Sequence, residues 1–264
     1  MAQSNTMPFL QHLGELRGHL IRSIIAIVIG ATIAGINSDI FFDEIIFGPT
    51  KKDFITFRIF NQLGNFFGYG NIFKNNTDIP IQNLEIMGQF NLYFITSAIA
   101  GFILAFPYII WEIWRFITPA LTEAEKKISA IFILSTCFLF FIGICFGYFL
   151  VAPLAINFGS VFTVSNVIQN NYTINSYSST LIQTVVAMGI TFLFPVLTYF
   201  LTRLDLISPN FFKEYRKHAF VVILIVAAII TPSDLLSMFA AAIPLLLLYE
   251  FSIFISYLTK KFSN

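Results

Sequence analysis

The sequence predicts an all-α integral membrane protein with six transmembrane helices and both termini in the cytoplasm, and three observations carry that expectation. Of 264 residues, 57% are hydrophobic and only 11% charged, whereas about a quarter of a soluble domain is charged. The apolar residues come in long uncharged runs, so the bilayer sets the architecture. Lys and Arg are shared unequally between the segments that join those runs.

A span needs about 20 apolar residues, fewer where flanking groups snorkel. Six candidates result: residues 20–36, 90–111, 128–152, 180–201, 219–230 and 235–258. The fifth supplies only about 18 Å of helix, and helices five and six read as a short hairpin. Its turn is Thr231, Pro232, Ser233 and Asp234, where Pro232 resists helix continuation and Ser233 or Asp234 can cap the next helix. Residues 37–88 form a loop rich in Gly, Asn and aromatic residues. Residues 157–179 are uncharged and rich in Asn, Ser and Tyr, suited to packing as a cap over a bundle end.

Ahead of the first span, Phe9, Leu10, Leu13, Leu16 and Leu20 mark one helical face, the pattern of an amphipathic surface helix leading into the membrane. Arg17 and Arg22 before an apolar stretch that ends at Ala31–Ala34 also resemble a secretory signal. Glu15 and the length of the preceding segment weigh against that reading.

Orientation follows from the basic residues. Eleven fall on one side: Arg17 and Arg22, then Arg115, Lys126 and Lys127, then Arg203, Lys213, Arg216 and Lys217, then Lys260 and Lys261. The other side has four, Lys51, Lys52, Arg58 and Lys74, all in the 37–88 loop. The positive-inside rule puts both termini in the cytoplasm and makes the 37–88 loop periplasmic.

Several functions are excluded. No basic patch with interleaved aromatics is present to neutralise a nucleic-acid backbone. Cys137 and Cys145 are eight residues apart on one helix, about 12 Å along its axis, too far for a disulfide. His12, His19 and His218 form no metal-ligand spacing, no cofactor motif is present, and no nucleophile–base pair or P-loop points to an enzyme.

Three stretches resemble the TatC family, whose members are receptor subunits of the twin-arginine translocase. His12-Leu-Gly-Glu-Leu-Arg17 is similar to the family's HLxELR element before the first span. Pro107, Trp114, Phe116, Pro119-Ala-Leu121 and Glu125-Lys-Lys127 resemble its loop between spans two and three. Thr231-Pro-Ser-Asp234, followed by Pro244 and Glu250, resembles its last hairpin. Their order covers nearly the whole chain, as one integral membrane domain. The resemblance implies a curved, glove-like six-helix structure in the inner membrane. It also implies binding of the RR signal peptides of folded precursors at the cytoplasmic face, with export driven by the proton-motive force. Expected partners are those peptides, single-span TatA/TatB-type subunits, the lipid bilayer and further copies in an oligomeric translocase.

By the same resemblance Glu15 and Glu125 receive the two arginines, with Leu16, Arg17, Phe116 and Leu121 beside them and Pro119, Asp234 and Glu250 as further functional positions. A carboxylate at the interface takes a guanidinium in a bidentate pair that Lys reproduces poorly. Other readings stay open. Glu15 also suits an intrahelical partner of Arg17 or His19, Glu125 suits a capping box begun by Thr122, and Asp234 suits a helix N-cap. Trp111 and Trp114 read either as an interfacial belt or as peptide contacts. For Glu250, Arg203 and Lys217 are conceivable partners.

The chain departs from the family pattern at Leu193, which stands where the family has an intramembrane Glu two residues before a proline, and at Met238, where it often has a polar amide. Gln183 and Thr191 are the polar candidates near Leu193, on a different face. The alternative function is an ion- or proton-coupled small-molecule transporter. That would need ionisable groups at mid-membrane and broken helices, and the spans as drawn from the sequence have neither.

Overall fold

The structure, a computed structural model, describes residues 9–73, 79–120, 129–165, 170–203, 206–231 and 235–263. Helix α1 (Phe9–Ile36) is one continuous helix of 28 residues, so the expected surface helix and the first span are a single rod. A π-helical turn (Ile40–Ile46) and a 3-10 turn (Gly48–Thr50) lead to α2 (Ile55–Phe66) and strand β1 (Ile81–Gln82). Next come α3 (Gly88–Ile117) and α4 (Ser129–Phe146), the latter continued through a π-helical turn (Gly147–Val151) into α5 (Ala152–Val161). The rest is strand β2 (Tyr172–Thr173), α6 (Ile174–Thr191), α7 (Phe194–Arg203), α8 (Pro209–Glu214), α9 (Arg216–Ile230) and α10 (Leu235–Ser263).

Five stretches of the described residues are long and apolar enough to cross a membrane: Gly14–Ile36, Gly88–Ile117, Ile131–Val161, Ile174–Arg203 and Leu235–Lys260. The fifth expected span, α9, has 15 residues, about 22 Å of helix, short as expected and not among those five. Two expectations need correction. The sixth is not short, since α10 runs for 29 residues through Pro244. The fourth is broken: the helix ends at Thr191, turns at Phe192 and Leu193, and restarts at Phe194, because Pro195 has no N–H to continue the ladder.

The chain divides into two compact units, Met1–Ser38 with Tyr93–Cys137, and Asp39–Leu92 with Phe138–Asn264. In the first, α1 and α3 touch backbone to backbone. A Cβ on Gly101 would stand 2.5 Å from Ala31 N, and one on Gly30 would stand 3.0 Å from Gly101 Cα. Without a hydrophobic drive between helices in lipid, such close glycine contacts supply van der Waals attraction. Trp114 on α3 packs against Phe132 on α4 with ring centroids 4.7 Å apart.

The second unit uses the same device, as a Cβ on Gly143 of α4 would stand 2.9 Å from Gly189 Cα of α6. Its main core joins Val151, Met188, Phe192, Ala227, Ile230, Ala241, Ala242 and Leu245. Polar side chains satisfy helix ends that lipid cannot. Gln183 Nε2 donates to Ile229 O at 2.8 Å and Thr184 Oγ1 to Ile230 O at 3.4 Å, which caps the last carbonyls of α9. Tyr148 and Tyr177 hydroxyls donate to Ile45 O and Ile46 O at 2.7 and 2.6 Å, closing the end of the first π-helical turn. β1 pairs in parallel with β2, Ile81 opposite Tyr172 and Gln82 opposite Thr173. The 37–88 and 157–179 segments are thereby tied by main-chain bonds.

Candidate functional site

The chemistry concentrates in the first unit, on α1 and the last two turns of α3. Residues four and seven apart share a helix face, so Glu15, His19 and Arg22 form one stripe along α1. On α3 the same spacing gathers Tyr108, Glu112 and Arg115. The stretch from Ile86 to Thr122 contains no acid except Glu112.

Glu112 is 0% exposed. Arg22 grips it with two parallel bonds, Nε to Oε1 and Nη2 to Oε2, both 3.1 Å. His19 Nδ1 lies against Oε2, the Tyr108 hydroxyl donates to Oε1 at 2.8 Å, and Arg115 Nη1 stands 3.9 Å from Oε1. An ionised carboxylate inside a span costs on the order of 3 kcal/mol on insertion scales, and such groups persist where charge and hydrogen bonds surround them. Both oxygens of Glu112 are occupied.

Above this cluster, Glu15 and Leu16 are half-buried and Arg17 is exposed. Among the described residues neither Glu15 nor Arg17 has a hydrogen-bond or ion-pair partner. The alternative that pairs Glu15 with His19 or Arg17 is therefore not realised. Phe116 meets His19 edge to face, with ring centroids 5.9 Å apart, so the structure brings one expected site residue beside the stripe that carries Glu15. Pro119 is exposed in a 3-10 turn, Thr118–Ala120, which is anchored by the Thr118 hydroxyl donating to Trp114 O at 2.7 Å. Trp111 carries Arg115 over its ring at 5.0 Å. Glu125, Leu121 and Asp234 lie outside the described residues.

Two expected positions lie elsewhere, in the second unit. Glu250 pairs with Arg216 at 2.6 Å, not with Arg203 or Lys217, and both side chains are about half exposed. Leu193 is half-buried at the α6–α7 break, where its N–H donates to Ile190 O at 3.0 Å. Among the described residues the polar candidates near Leu193 are engaged elsewhere: Gln183 is committed to Ile229 O, Thr191 to Ala187 O in its own helix at 2.6 Å, and Met238 packs against the apolar core. Among the described residues no three His, Cys, Asp or Glu side chains gather to hold a metal ion.

Sequence reasoning missed Glu112 because the second span was ended at Trp111, one residue short. The signal was present, as a lone acid flanked by Trp111, Ile113 and Trp114 belongs to no soluble loop.

Comparison with known proteins adds the following. A family model described as Sec-independent protein translocase protein (TatC) matches residues 11–244. The chain is 46% identical over 261 residues, 98% of either chain, to the Sec-independent protein translocase protein TatC of Blattabacterium sp. subsp. Periplaneta americana (strain BPLAN). It is 34% identical over 256 residues, 97% of either chain, to that of Aquifex aeolicus (strain VF5). A crystal structure of the twin arginine translocase receptor TatC superposes with a TM-score of 0.72 at 33% identity, covering 94% of this chain and 99% of that one.

Proposed function

The chain belongs to the TatC family of protein-transport components, and from that premise we propose that it is the receptor and core subunit of a twin-arginine translocase. It is a multi-pass membrane protein of the Tat pathway and not an enzyme. In the proposed reading it lies in the inner membrane with both termini cytoplasmic, its six helices in a curved, glove-like arrangement. It binds the RR signal peptides of folded precursors through Glu15 and Glu125 and works with single-span TatA/TatB-type subunits in an oligomer. Transport is driven by the proton-motive force.

The observation that carries this reading is the half-buried carboxylate of Glu15, which has no partner among the described residues, on a stripe whose Arg22 and His19 are committed to Glu112. A guanidinium can reach it with two parallel bonds, and the flat fork of Arg fits where the point charge of Lys does not. Leu16, Phe116 and Leu121 would line the apolar side of the site, and Arg17 and Pro119 its rim. The test is crosslinking of purified protein to an RR signal peptide and to its KK version. RR-selective crosslinks that Glu15→Ala or Glu125→Ala abolishes are expected, with the variants still inserted in the membrane. Equal yields with both peptides would remove the receptor assignment.

The ion-coupled transporter gains no support from the broken fourth span, because the break is made of Phe192, Leu193 and Phe194 and offers no ionisable group.

A further inference from the structure

We propose that Glu112 is a positioning residue for the signal-arginine site: by holding Arg22 and His19 it keeps the Glu15 carboxylate free for an incoming guanidinium. The inference rests on the receptor reading given above and extends it to a residue outside the resemblance.

Three observations carry it. Glu15, His19 and Arg22 share one face of α1, so His19 and Arg22 stand one and two turns along the helix from Glu15, about 6 and 10 Å in rise. Glu ahead of a cation at a spacing of four is the favoured orientation for an intrahelical pair, and helical side chains lean toward the N-terminus. Arg22 Nη2 already stands 3.0 Å from His19 Nδ1, at the turn next to Glu15. Yet Glu15 has no partner among the described residues, because Arg22 and His19 are both turned onto Glu112 of α3.

Remove the Glu112 charge, and the nearest unpaired carboxylate on that face is Glu15. A resident cation there would compete with the signal arginine for the same oxygens. Arg22 is charged at all physiological pH, so the competition would not vanish in alkaline buffer. Sequestration thus differs in its consequence from simple bracing of α1 against α3. Bracing is lost whenever the cluster is lost, whereas competition disappears once the freed Arg22 and His19 side chains are removed as well.

The experiment measures the affinity of an RR signal peptide for the purified full chain, with folding of each variant checked by size-exclusion profile and thermal unfolding. Glu112→Gln is expected to bind about 3–10-fold more weakly. Adding His19→Gln and Arg22→Gln to it should return the affinity to within about twofold of native. Native affinity in Glu112→Gln, or a triple variant as weak as the single one, overturns the proposal. Should Glu112→Gln fail to fold, Glu112→Asp keeps the charge but shortens the arm and loosens its grip on Arg22. An intermediate loss that Arg22→Gln reverses is then expected, and an unchanged affinity overturns the idea. Glu15→Ala is the control that separates the two levels. If the native chain binds no RR peptide, or Glu15→Ala binds it unchanged, the receptor reading and this inference fall together. If native binding needs Glu15 but the Glu112 series behaves otherwise than stated, only the sequestration falls.

Discussion

Arg22 on α1 and Glu112 on α3, ninety residues apart in sequence, meet in a bidentate pair with both bonds at 3.1 Å. The pair sits two turns beyond Glu15 on the α1 stripe, and it ties the helix that carries Glu15 to the helix that leads into the loop of Glu125.

Geometry is the essence of that pair, so Arg22→Lys should not be conservative. A lysine keeps the charge but can make only one of the two parallel bonds. Thermal unfolding in detergent should fall by about 3 °C for Arg22→Lys and further for Arg22→Met. Equal melting temperatures for Arg22→Lys and the native chain would mean that charge alone holds the helices.

The Gly30–Gly101 contact lets the pair form. In Gly101→Ala the new methyl meets the backbone of Ala31 at 2.5 Å, which no side-chain rotation relieves, so a loss of about 1–3 kcal/mol is expected. Gly14→Ala on α1 meets nothing within 4 Å and should be neutral or stabilise by up to about 1 kcal/mol. Unfolding curves of the two variants side by side check this, and similar losses in both would refute the close-contact account.

Leu193 sits in an apolar break whose nearby polar side chains are already committed. Leu193→Glu should therefore leave transport of an RR precursor unchanged or lower it, since a carboxylate there costs on the order of 3 kcal/mol. A clear rise in transport would show that an acid is wanted at this position. Gln183→Leu, which uncaps Ile229 O, should cost about 1–2 kcal/mol of stability.

Topology follows from the eleven-to-four bias in basic residues. Single cysteines at Ser4 and Asn264 should react with a membrane-impermeant maleimide only from the cytoplasmic side, and one at Asn170 only from the periplasm. Any reversal would move the Glu15 stripe to the wrong face.

Helix α9 is the remaining mechanical question. Its 15 residues supply about 22 Å against roughly 30 Å of hydrocarbon, so the bilayer beside it should thin, at a fraction of a kcal/mol per Å. Spin labels at Ala219 and Ile230 should lie about 16 Å apart in depth. Labels separated by a full bilayer thickness would end the thinning idea, and so would full transport after insertion of four leucines following Val226.

From the sequence alone came the membrane class, most span positions, the expected orientation and the motif positions of Glu15 and Glu125, because hydropathy and charge bias act locally and add up along the chain. The shortness of α9 was legible for the same reason. Helix ends were less so: α3 runs past Trp111 through Glu112, whose partners Arg22 and His19 lie on α1 and not beside it in sequence. α10 was expected to be short as half of a hairpin with α9, whereas it runs for 29 residues and Arg216 from the neighbouring helix pairs with its Glu250. The break at Leu193 depended on how Pro195 is accommodated in a helix with no free polar group to bridge it. Above all, only the tertiary structure decided that Glu15 has no partner among the described residues while Arg22 and His19 do. That outcome turns on which carboxylate lies closer in space, and a contact between residues ninety positions apart leaves no periodic trace in the sequence.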